Sequence, residues 1–345
     1  MASLTSKPRP RVGLHSDDAH KLHDLPGHPE GPDRIVAILA ELTRAGLTPH
    51  LRPLAQRTAT DTELQLVHDP GLVDLLRRLD RSGGAQLDPD TTVLSGSFEA
   101  AARAVGGVLN ATDAVLTGAL DAAFCADRPP GHHATPVRAM GFCLLNQVAI
   151  AARYAQRAHG VDKVAIIDFD VHHGNGTQDT FENDASVLYC STHEYPFYPG
   201  TGHWRDRGAG NAVNISLPAG SGDPEYAACF ERVIGPAVRR FEPELILVSA
   251  GFDAHLADPL ADMAVTESGY AFMAGHIQTL AEELTEGRSV WVLEGGYRLE
   301  ALARSVAAVL RVLLGDEAGA EIEGVPRADV ERLLGAIAEF QGLRG

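Results

Sequence analysis

The chain has 345 residues, 45% of them hydrophobic and 22% charged, which is typical of a folded globular protein with enough apolar material for a sizeable core. Its formal net charge of −17, from 29 basic and 46 acidic residues, disfavours a nucleic-acid partner, because nucleic acids are bound by basic surfaces. No apolar run approaches the length of a membrane span and the N-terminus lacks the apolar segment of a signal peptide, so we expect no membrane partner and a cytoplasmic location.

The chain divides into a short tail and one domain. Residues 1–10 are polar and contain prolines, which is typical of a flexible N-terminal tail. Residues 11–345 contain no linker, repeat or low-complexity tract, so we expect them to form a single domain.

Apolar spacing and turn residues predict alternating strands and helices along this domain. The polar loop 16–31 carries His20, His23 and His28, which we expect to be solvated, and residues 82–97 are expected to form a second loop. The predicted helices cover residues 32–45, part of 61–80, 98–120, 141–159, 177–181, 223–241, 266–285, 299–314 and 328–340. The predicted strands cover residues 11–14, 121–126, 163–169, 187–191, 211–217, 245–249 and 289–293. This alternation indicates an α/β fold with a mostly parallel, doubly wound sheet.

Four predicted strands are followed by side chains that can bind a metal ion or transfer a proton. Asp168, Asp170 and His172 follow one another at every second position, so their side chains point to the same face of the strand end. Parallel strands place their carboxyl ends at one edge of the sheet, where ligands bind. The residues that reach this edge from the four strands are His132 and His133, then Asp170, His172 and Asn175, then Asp253, and finally Tyr297.

This convergence predicts a metal-dependent hydrolase. Three of the side chains could bind one metal ion and leave a position open, as in catalytic zinc sites: Asp170, His172 and Asp253. His132 and His133 could move protons, Asp168 could fix a histidine tautomer, and Tyr297 could donate to an oxyanion. Together these groups are suited to hydrolysis of an amide, whereas the sequence has no dinucleotide-binding or Walker motif for redox chemistry or phosphoryl transfer.

Structural alternatives exist for each of these residues. The histidine pair could belong to a turn, Asp253 could cap the turn after its strand, and Tyr297 could be a packed aromatic residue. The coincidence of four strand ends favours the functional interpretation. Three other histidines lie beside the motifs without a required role and are expected to be structural: His173, His193 and His255.

The sequence resembles the zinc-dependent histone deacetylase superfamily, which includes acetylpolyamine amidohydrolases and acetoin-utilisation proteins. The segments that carry the resemblance run in the family's order over residues 11–315 and are Arg128-Pro-Pro-Gly-His-His-Ala134, Gly141-Phe-Cys-Leu-Leu-Asn146, Asp168-Phe-Asp-Val-His-His-Gly-Asn-Gly-Thr-Gln178, Phe197-Tyr-Pro-Gly-Thr-Gly202, Ser249-Ala-Gly-Phe-Asp253 and Glu294-Gly-Gly-Tyr297. The first segment and Asn175 resemble the class II-like branch and its bacterial relatives. The resemblance implies the arginase/deacetylase fold, with a central eight-stranded parallel sheet and helices on both faces.

The resemblance also implies a role for each active-site residue. One Zn²⁺ per chain would be held by Asp170, His172 and Asp253. His133 would act as general base and acid with His132 as its electrostatic partner. Asp168 would orient His132 and Asn175 would orient His133. Tyr297 would stabilise the tetrahedral oxyanion.

Further positions are implied for the substrate tunnel and for structural cations. The residues that would line the tunnel are Phe142, Gly141, Tyr198 and Leu260. Arg34 matches the arginine behind the family's active site. A structural K⁺ would lie, mostly through backbone oxygens, against Asp168, Asp170, His172, Ser191 and Thr192. A second monovalent cation would lie near Phe181, Asp184 and Val187.

Two substrate classes stay open for this site. The implied reaction removes acetyl or other acyl groups from the side-chain amine of lysine in proteins or peptides. The alternative is an acetylpolyamine, whose recognition favours an acid at the tunnel mouth. The apolar Leu260 after Asp258 favours acyl-lysine, although Asp17, Asp18 and Asp24 could supply acids at the rim.

Two other functions are disfavoured by particular positions. The two-manganese ureohydrolases of the same fold need further carboxylates where this chain has Gly174 and His255. An inactive acyl-binding relative would have lost Tyr297 or the histidine pair, and this chain retains both. The sequence is compatible with a homo-oligomer.

Overall fold

The computed structural model describes residues 9–343. The predicted tail, residues 1–10, lies outside the described residues except for its last two positions. The strands of the described part are β1 (Val12–His15), β2 (Arg52–Pro53), β3 (Gly84–Asp88), β4 (Thr91–Leu94), β5 (Ala122–Cys125), β6 (Val164–Asp168), β7 (Val187–Glu194), β8 (Ala212–Leu217), β9 (Leu245–Ala250) and β10 (Ser289–Leu293). Its α-helices are α1 (Asp33–Arg44), α2 (Asp61–Leu64), α3 (Pro70–Arg81), α4 (Ser97–Leu116), α5 (Gln147–His159), α6 (Asn175–Phe181), α7 (Asp223–Cys229), α8 (Gly235–Phe241), α9 (Glu267–Leu284), α10 (Leu299–Leu313) and α11 (Ala328–Phe340).

Eight strands form one parallel sheet in the order β2-β1-β5-β10-β9-β6-β7-β8. This confirms the predicted α/β fold class and the eight-stranded sheet. The strands β5, β10, β9 and β6 are consecutive in this order. The four strand ends that were predicted to bear the active-site residues therefore lie next to one another at the sheet edge.

Apolar side chains cover both faces of the sheet. Along β6, Ala165 and Ile167 belong to one hydrophobic cluster, whereas Val164 and Ile166 belong to the other. This alternation is the period of two that a strand buried on both faces requires. The first cluster includes residues of α1 and of α7 to α11, and the second includes residues of α3, α4 and α5. In the described part of the chain, none of the helices has the length and apolar character needed to cross a bilayer.

Residues 82–97, which were expected to form a loop, instead contain the antiparallel pair β3 and β4. The two strands are short, and their register shifts between Gln86 and Asp88. The alternation of Ala85, Gln86, Leu87 and Asp88 covers only four residues beside Gly and Pro turn signals, which is too short to distinguish a strand from a loop in the sequence.

The helix expected over residues 141–159 begins only at Gln147, because the preceding residues form a tight turn. Gly141 and Phe142 have φ angles of 57° and 67°, which a right-handed helix does not accept. Met140 and Cys143 exchange backbone hydrogen bonds across this two-residue turn.

The helix expected over residues 223–241 is also interrupted. Between α7 and α8, the segment Phe230–Ile234 forms a π-helical turn. Such a turn accommodates one extra residue, and a shift of one position within a single helical apolar pattern is too small to be recognised in the sequence. The strand β2 was not predicted because two exposed residues carry no pattern.

The histidines of the first polar loop are packed rather than solvated, contrary to the prediction. His20 and His23 are 4% and 7% exposed, and His28 is half-buried. Nδ1 of His23 lies 2.7 Å from Oγ of Ser97. The carbonyl oxygens of His20 and His23 both accept hydrogen bonds from the guanidinium of Arg128, which ties the loop to the active-site side of the sheet.

Candidate active site

Three side chains form a candidate metal site at the junction of β6 and β9. Asp170, His172 and Asp253 each offer a ligand atom, and these atoms lie within 4.8 Å of one another. Both carboxylates are fully buried, and Nδ1 of His172 lies 3.2 Å from Oδ1 of Asp170 and 3.1 Å from Oδ2 of Asp253. Two carboxylates and one imidazole form a suitable donor set for Zn²⁺ with an open position. The structure thus brings together the three residues that the sequence predicts as metal ligands.

Backbone amides hold the two carboxylates in place. Gly295 N–H donates to Oδ2 of Asp170 at 2.8 Å, and Val171 N–H donates to Oδ1 of Asp253 at 3.0 Å. A Cβ on Gly295 would come within 2.0 Å of Oδ2 of Asp253, so only glycine allows this close approach. The carboxylates are therefore fixed by the main chain of neighbouring strand ends.

The two predicted proton-transfer histidines lie side by side, with ring centres 4.0 Å apart. Nδ1 of His132 lies 3.1 Å from Oδ2 of Asp168, and Nδ1 of His133 lies 2.8 Å from Oδ1 of Asn175. Each Nδ1 is thus engaged by the partner that was predicted for it. Because an imidazole has two nitrogens, this arrangement leaves Nε2 as the nitrogen free for chemistry.

The surroundings drive the pKa values of the two histidines apart. Burial alone would lower the pKa of His132, but the negative charges of Asp170 and Asp168 raise it to about 10. Burial lowers the pKa of His133, and the neighbouring His132 lowers it further. The result is a charged imidazole beside a neutral one, which is the state that a general base requires.

Tyr297 lies on the loop after β10, opposite the histidines. The guanidinium of Arg34 lies 5.0 Å from the centre of the tyrosine ring, and Arg34 donates to the carbonyl oxygens of Glu294 (2.5 Å) and Gly296 (2.7 Å). Burial raises the pKa of Tyr297 well above its ordinary value, so its hydroxyl stays protonated and can donate a hydrogen bond. Arg34 thus lies behind the loop that carries the tyrosine.

A narrow cavity of about 240 Å³ leads to these residues. The residues that line it include all four predicted tunnel residues and four predicted active-site residues, His132, His133, His172 and Tyr297. Four further lining residues were not predicted: Asp90, Pro130, Phe197 and Gly295. The ring of Phe197 stacks on His172 with centres 5.4 Å apart. Both Phe197 and Asp90 belong to segments noted in the sequence, but neither spacing nor turn chemistry showed which way they point.

A family model described as the histone deacetylase domain matches residues 28–313. The chain belongs to the histone deacetylase family. "Histone deacetylase 14, chloroplastic" of Arabidopsis thaliana is 42% identical over 325 residues, which cover 88% of this chain and 77% of the relative. "Probable deacetylase" of Archaeoglobus fulgidus is 40% identical over 286 residues, which cover 81% and 79% of the two chains.

Two further comparisons concern substrate class and fold. "Polyamine deacetylase HDAC10" of Homo sapiens is 41% identical over 309 residues, which cover 84% of this chain but 45% of that protein. The crystal structure of the HDA15 HD domain superposes with a TM-score of 0.90 at 37% identity and covers 96% of this chain and 94% of that one. These findings confirm the arginase/deacetylase fold, and the chain is a hydrolase of the deacetylase class.

Glu294 is a buried residue of this deacetylase whose role the sequence did not reveal. Its Oε2 accepts hydrogen bonds from the N–H groups of Gly131 (2.7 Å) and His132 (3.1 Å), and its Oε1 accepts one from Ser249 (3.0 Å). Burial raises the pKa of Glu294 to about 7. The carboxylate holds the turn that carries the histidine pair, and its position beside Gly295 and Gly296 was the signal available in the sequence.

A buried ion-pair network lies beneath the histidine turn. Arg128 binds the carboxylate of Glu30 through Nε at 2.7 Å and Nη2 at 2.6 Å, and Arg34 binds the same carboxylate at 3.1 Å. All three residues are at most 1% exposed. Arg128 precedes the prolines before His132, so the network fixes the start of that turn.

The two positions that distinguish a two-manganese site carry no carboxylate and have other uses. A Cβ on Gly174 would lie 2.3 Å from Oδ2 of Asp168, so no side chain fits there. Nδ1 of His255 accepts a hydrogen bond from the N–H of Ala257, and its ring stacks parallel to that of Tyr270. The geometry therefore favours one metal ion over two.

The neighbouring histidines His173 and His193 use both ring nitrogens in internal contacts. His173 lies within 2.9 Å of Thr201 and Gln178, and His193 lies within 2.8 Å of Ser191 and of the Gly202 carbonyl oxygen. Burial lowers the pKa of both residues. They are structural residues, as expected.

The two implied positions for monovalent cations differ in their polar groups. At the first, Oγ1 of Thr192 is buried and has no hydrogen-bond partner among the described residues, so the donor set fits a cation. At the second, the carbonyl oxygens of Phe181, Asp184 and Val187 do face one point. The amide nitrogen of Asn211 donates to all three, at 2.7, 3.0 and 2.9 Å.

Proposed function

We propose that the chain is a zinc-dependent amidohydrolase that removes acetyl or other acyl groups from the side-chain amine of acyl-lysine in proteins or peptides. One observation supports this above all: His172 of the three-residue metal site, the histidine pair His132 and His133, and Tyr297 line one cavity. A metal, a base and an oxyanion donor around one point are the groups that amide hydrolysis requires.

The donor set of Asp170, His172 and Asp253 would hold one Zn²⁺, which when bound would polarise the substrate carbonyl and make an attacking water more acidic. His133 would accept the water proton on Nε2 and later donate it to the leaving amine. The charge on His132 would favour the negative charge that develops nearby. Asp168 and Asn175 would keep both rings oriented through their Nδ1 atoms.

Tyr297 would donate its hydroxyl hydrogen to the oxygen of the former carbonyl as negative charge develops there. Its protonated state at neutral pH supports this role. Phe142 and Tyr198 would flank the aliphatic arm of the substrate, and Leu260 would contact it nearer the rim. An apolar tunnel suits a methylene chain, because burial of each methylene is favourable by about 0.8 kcal/mol.

Acetylpolyamine hydrolysis is the second candidate, and two observations favour it. A relative at 41% identity is named a polyamine deacetylase, and Asp90 places a carboxylate in the cavity wall. The acids Asp17, Asp18 and Asp24, which were considered for the rim, are not among the cavity's lining residues. Asp17 is instead buried against Arg103, at 2.9 Å. The apolar Leu260 supports acyl-lysine as the first choice.

A structural K⁺ at the site that includes Thr192 belongs to the same proposal, as do the single domain and the cytoplasmic location expected from the sequence. Ion replacement tests the K⁺ site, because removal of K⁺ should lower the melting temperature of the zinc-loaded protein. Cell fractionation tests the location.

The decisive experiment compares turnover of an acetyl-lysine peptide with that of N-acetylspermidine and N-acetylputrescine, together with metal analysis. We expect one zinc per chain and a higher kcat/KM for the peptide. A higher value for either polyamine would select the alternative. Two manganese ions per chain, or no hydrolysis of any of the three by the zinc-loaded protein, would contradict the proposal.

A further inference from the structure

One buried carboxylate connects two walls of the cavity. Asp258, in the segment after β9, is 8% exposed. Its Oδ2 accepts hydrogen bonds from the backbone N–H groups of Tyr297 (2.6 Å) and Arg298 (3.2 Å). Its Oδ1 accepts one from the N–H of Leu260 at 3.0 Å. Through its two oxygens, this side chain therefore joins the loop after β10 to the rim of the cavity.

The loop that carries Tyr297 needs such an anchor. Gly295 and Gly296 precede it, and Gly296 has a φ angle of 117°, so this part of the backbone has no side chains to pack. Arg34 holds the carbonyl oxygen of Gly296 from one side, and Asp258 holds the N–H of Tyr297 from the other. Hydrogen bonds to an ionised acceptor are roughly twice as strong as neutral ones.

We propose that Asp258 is a positioning residue that fixes Tyr297 for oxyanion binding and couples it to the rim residue Leu260. This inference rests on the proposed function, in which Tyr297 is the donor. A misplacement of about 1 Å can cost on the order of 100-fold in rate, so loss of the carboxylate should act on the chemical step.

The test is a double-mutant cycle of Asp258→Asn and Tyr297→Phe. The control is Asp262→Asn, because Asp262 lies in the same segment but is exposed. We expect Asp258→Asn alone to lower kcat on the acetyl-lysine peptide by roughly 10-fold or more. In the Tyr297→Phe background, it should lower kcat much less, because the group it positions is gone. Zinc content should stay at one per chain, and the control should retain its rate.

Equal losses of kcat in both backgrounds would overturn the proposal, as would an unchanged kcat for Asp258→Asn. A crystal structure of Asp258→Asn decides the positioning role without any activity: a displaced Tyr297 supports it, and an unmoved one overturns it. If the zinc-loaded wild type hydrolyses neither peptide nor polyamine, the proposed function fails, and the crystal structure still tests the positioning.

A second inference comes from the turn between α6 and β7, where the carbonyl oxygens of Phe181, Asp184 and Val187 surround the amide of Asn211. Asn211 is 5% exposed, and each of the three oxygens lies within 3.0 Å of its amide nitrogen. Carbonyl oxygens that converge in this way can replace the hydration shell of a monovalent cation. Here a nitrogen of the chain itself already occupies the centre.

The orientation of the Asn211 amide is set by its other end. Its Oδ1 accepts a hydrogen bond from the N–H of Ala209 at 3.1 Å. A flipped amide would place oxygen against three carbonyl oxygens and NH₂ against an N–H donor, so it is excluded by its contacts. Arg153 lies next to this point, since its guanidinium binds the Asp184 carboxylate and lies 4.6 Å from the ring centre of Phe181.

We infer that the Asn211 amide replaces the second monovalent cation that the family resemblance implies, so that this chain binds no ion between the three carbonyl oxygens. The amide supplies two hydrogens to the three acceptors, and the carbonyl oxygens of Phe181 and Asp184 also accept the backbone N–H groups of Asp184 and Val187, so all three are satisfied without a bound ion. This inference is independent of the reaction that the protein catalyses.

Crystals soaked in Tl⁺, a K⁺ substitute with strong anomalous scattering, test the inference directly. We expect no anomalous peak among the carbonyl oxygens of Phe181, Asp184 and Val187. A peak that contacts all three oxygens, with the Asn211 side chain turned away, would overturn the inference.

A variant tests it in solution. Asn211→Ala should lower the melting temperature by several degrees in tetramethylammonium buffer, and K⁺ should restore part of the loss, because the variant opens a cation site. Asn110→Ala on α4, which removes a side-chain hydrogen bond to the carbonyl oxygen of Ala55, is the control and should gain no K⁺ dependence. If Asn211→Ala responds to K⁺ no more than the wild type does, the inference is wrong.

Discussion

Asp170 and Asp253 follow adjacent strands and are fully buried, whereas Tyr198 and Leu260 line the cavity from loops, and Tyr198 is 37% exposed. The carboxylates accept hydrogen bonds from backbone N–H groups, and a Cβ on Gly251 would come within 2.1 Å of Asp170. The loop side chains instead touch the cavity through apolar surface. Substitutions on the strand-end side of the site, among the residues that follow β5, β6, β9 and β10, should therefore abolish turnover. Substitutions on the loop side, at Tyr198 and Leu260, should instead change which substrate is preferred.

The largest effect is expected at His133. The substitution His133→Ala should lower kcat by roughly 10²- to 10⁴-fold, because it removes the group that transfers the proton. Zinc content should stay at one per chain, because His133 is not a ligand. Steady-state kinetics and metal analysis provide the measurement, and His50→Ala, at an exposed position, is the control. Retained turnover would refute the role of His133 as base.

The next largest effect is expected on stability, at the ion pair beneath the histidine turn. Glu30→Gln leaves Arg128 buried without its charge partner, which should cost about 3–5 kcal/mol in the free energy of unfolding. Chemical denaturation measures this loss. Glu41→Gln, which breaks a pair with the exposed Arg44, should cost less than about 1 kcal/mol. Equal losses for the two variants would mean that the buried network does not stabilise the turn.

The same pair has a defined pH dependence. Burial alone would raise the pKa of Glu30, but Arg128 and Arg34 lower it to about 2. The carboxylate therefore contributes stability that is present above its unfolded pKa, near 4.5, and is lost as the pH falls towards 2. The stability difference between wild type and Glu30→Gln should shrink over that interval, and a constant difference would contradict the assigned charge state.

A smaller effect is expected at Tyr297. Tyr297→Phe should lower kcat by about 100-fold with little change in zinc content, as for loss of one oxyanion donor. Tyr195→Phe, at a tyrosine that is not among the cavity's lining residues, is the control for loss of a tyrosine hydroxyl. An unchanged rate for Tyr297→Phe would make this tyrosine structural and weaken the contrast between the two sides of the cavity.

The smallest effect is expected on the loop side. Leu260→Glu should shift the ratio of kcat/KM for N-acetylspermidine to that for the acetyl-lysine peptide by about 10-fold towards the polyamine, because a carboxylate attracts its second amine. Leu256→Glu, on the same segment but 58% exposed and not among the lining residues, should leave the ratio unchanged. A collapse of kcat on both substrates would show that the loop side also controls the chemistry.

The strand-end half of the site could be predicted because two regularities act there together. Side chains alternate along a strand, and parallel strands end at one edge, so Asp168, Asp170 and Asp253 could be placed from spacing alone. The resemblance then supplied the separate roles of His132 and His133. In both cases a short segment of sequence is enough to place the residues in the fold.

The supporting residues could not be predicted, because their partners are far away along the chain. Arg128 binds Glu30 across 98 positions, and Gly131 binds Glu294 across 163. The turn at Gly141 and Phe142 could not be distinguished from the start of a helix, since a positive φ angle at a non-glycine residue leaves no mark on composition. Burial of His20 and His23 likewise depends on contacts from other loops.

The turn at Gly141 and Phe142 bears on how this enzyme could change over evolutionary time. A Cβ on Gly141 would come within 2.5 Å of the His133 ring, and Phe142 holds a backbone conformation that few side chains tolerate. Substitutions at this wall would therefore disturb the base as well. Lineages that acquire longer acyl substrates should carry their substitutions at Tyr198 and Leu260, and laboratory libraries restricted to those two positions should yield functional variants far more often.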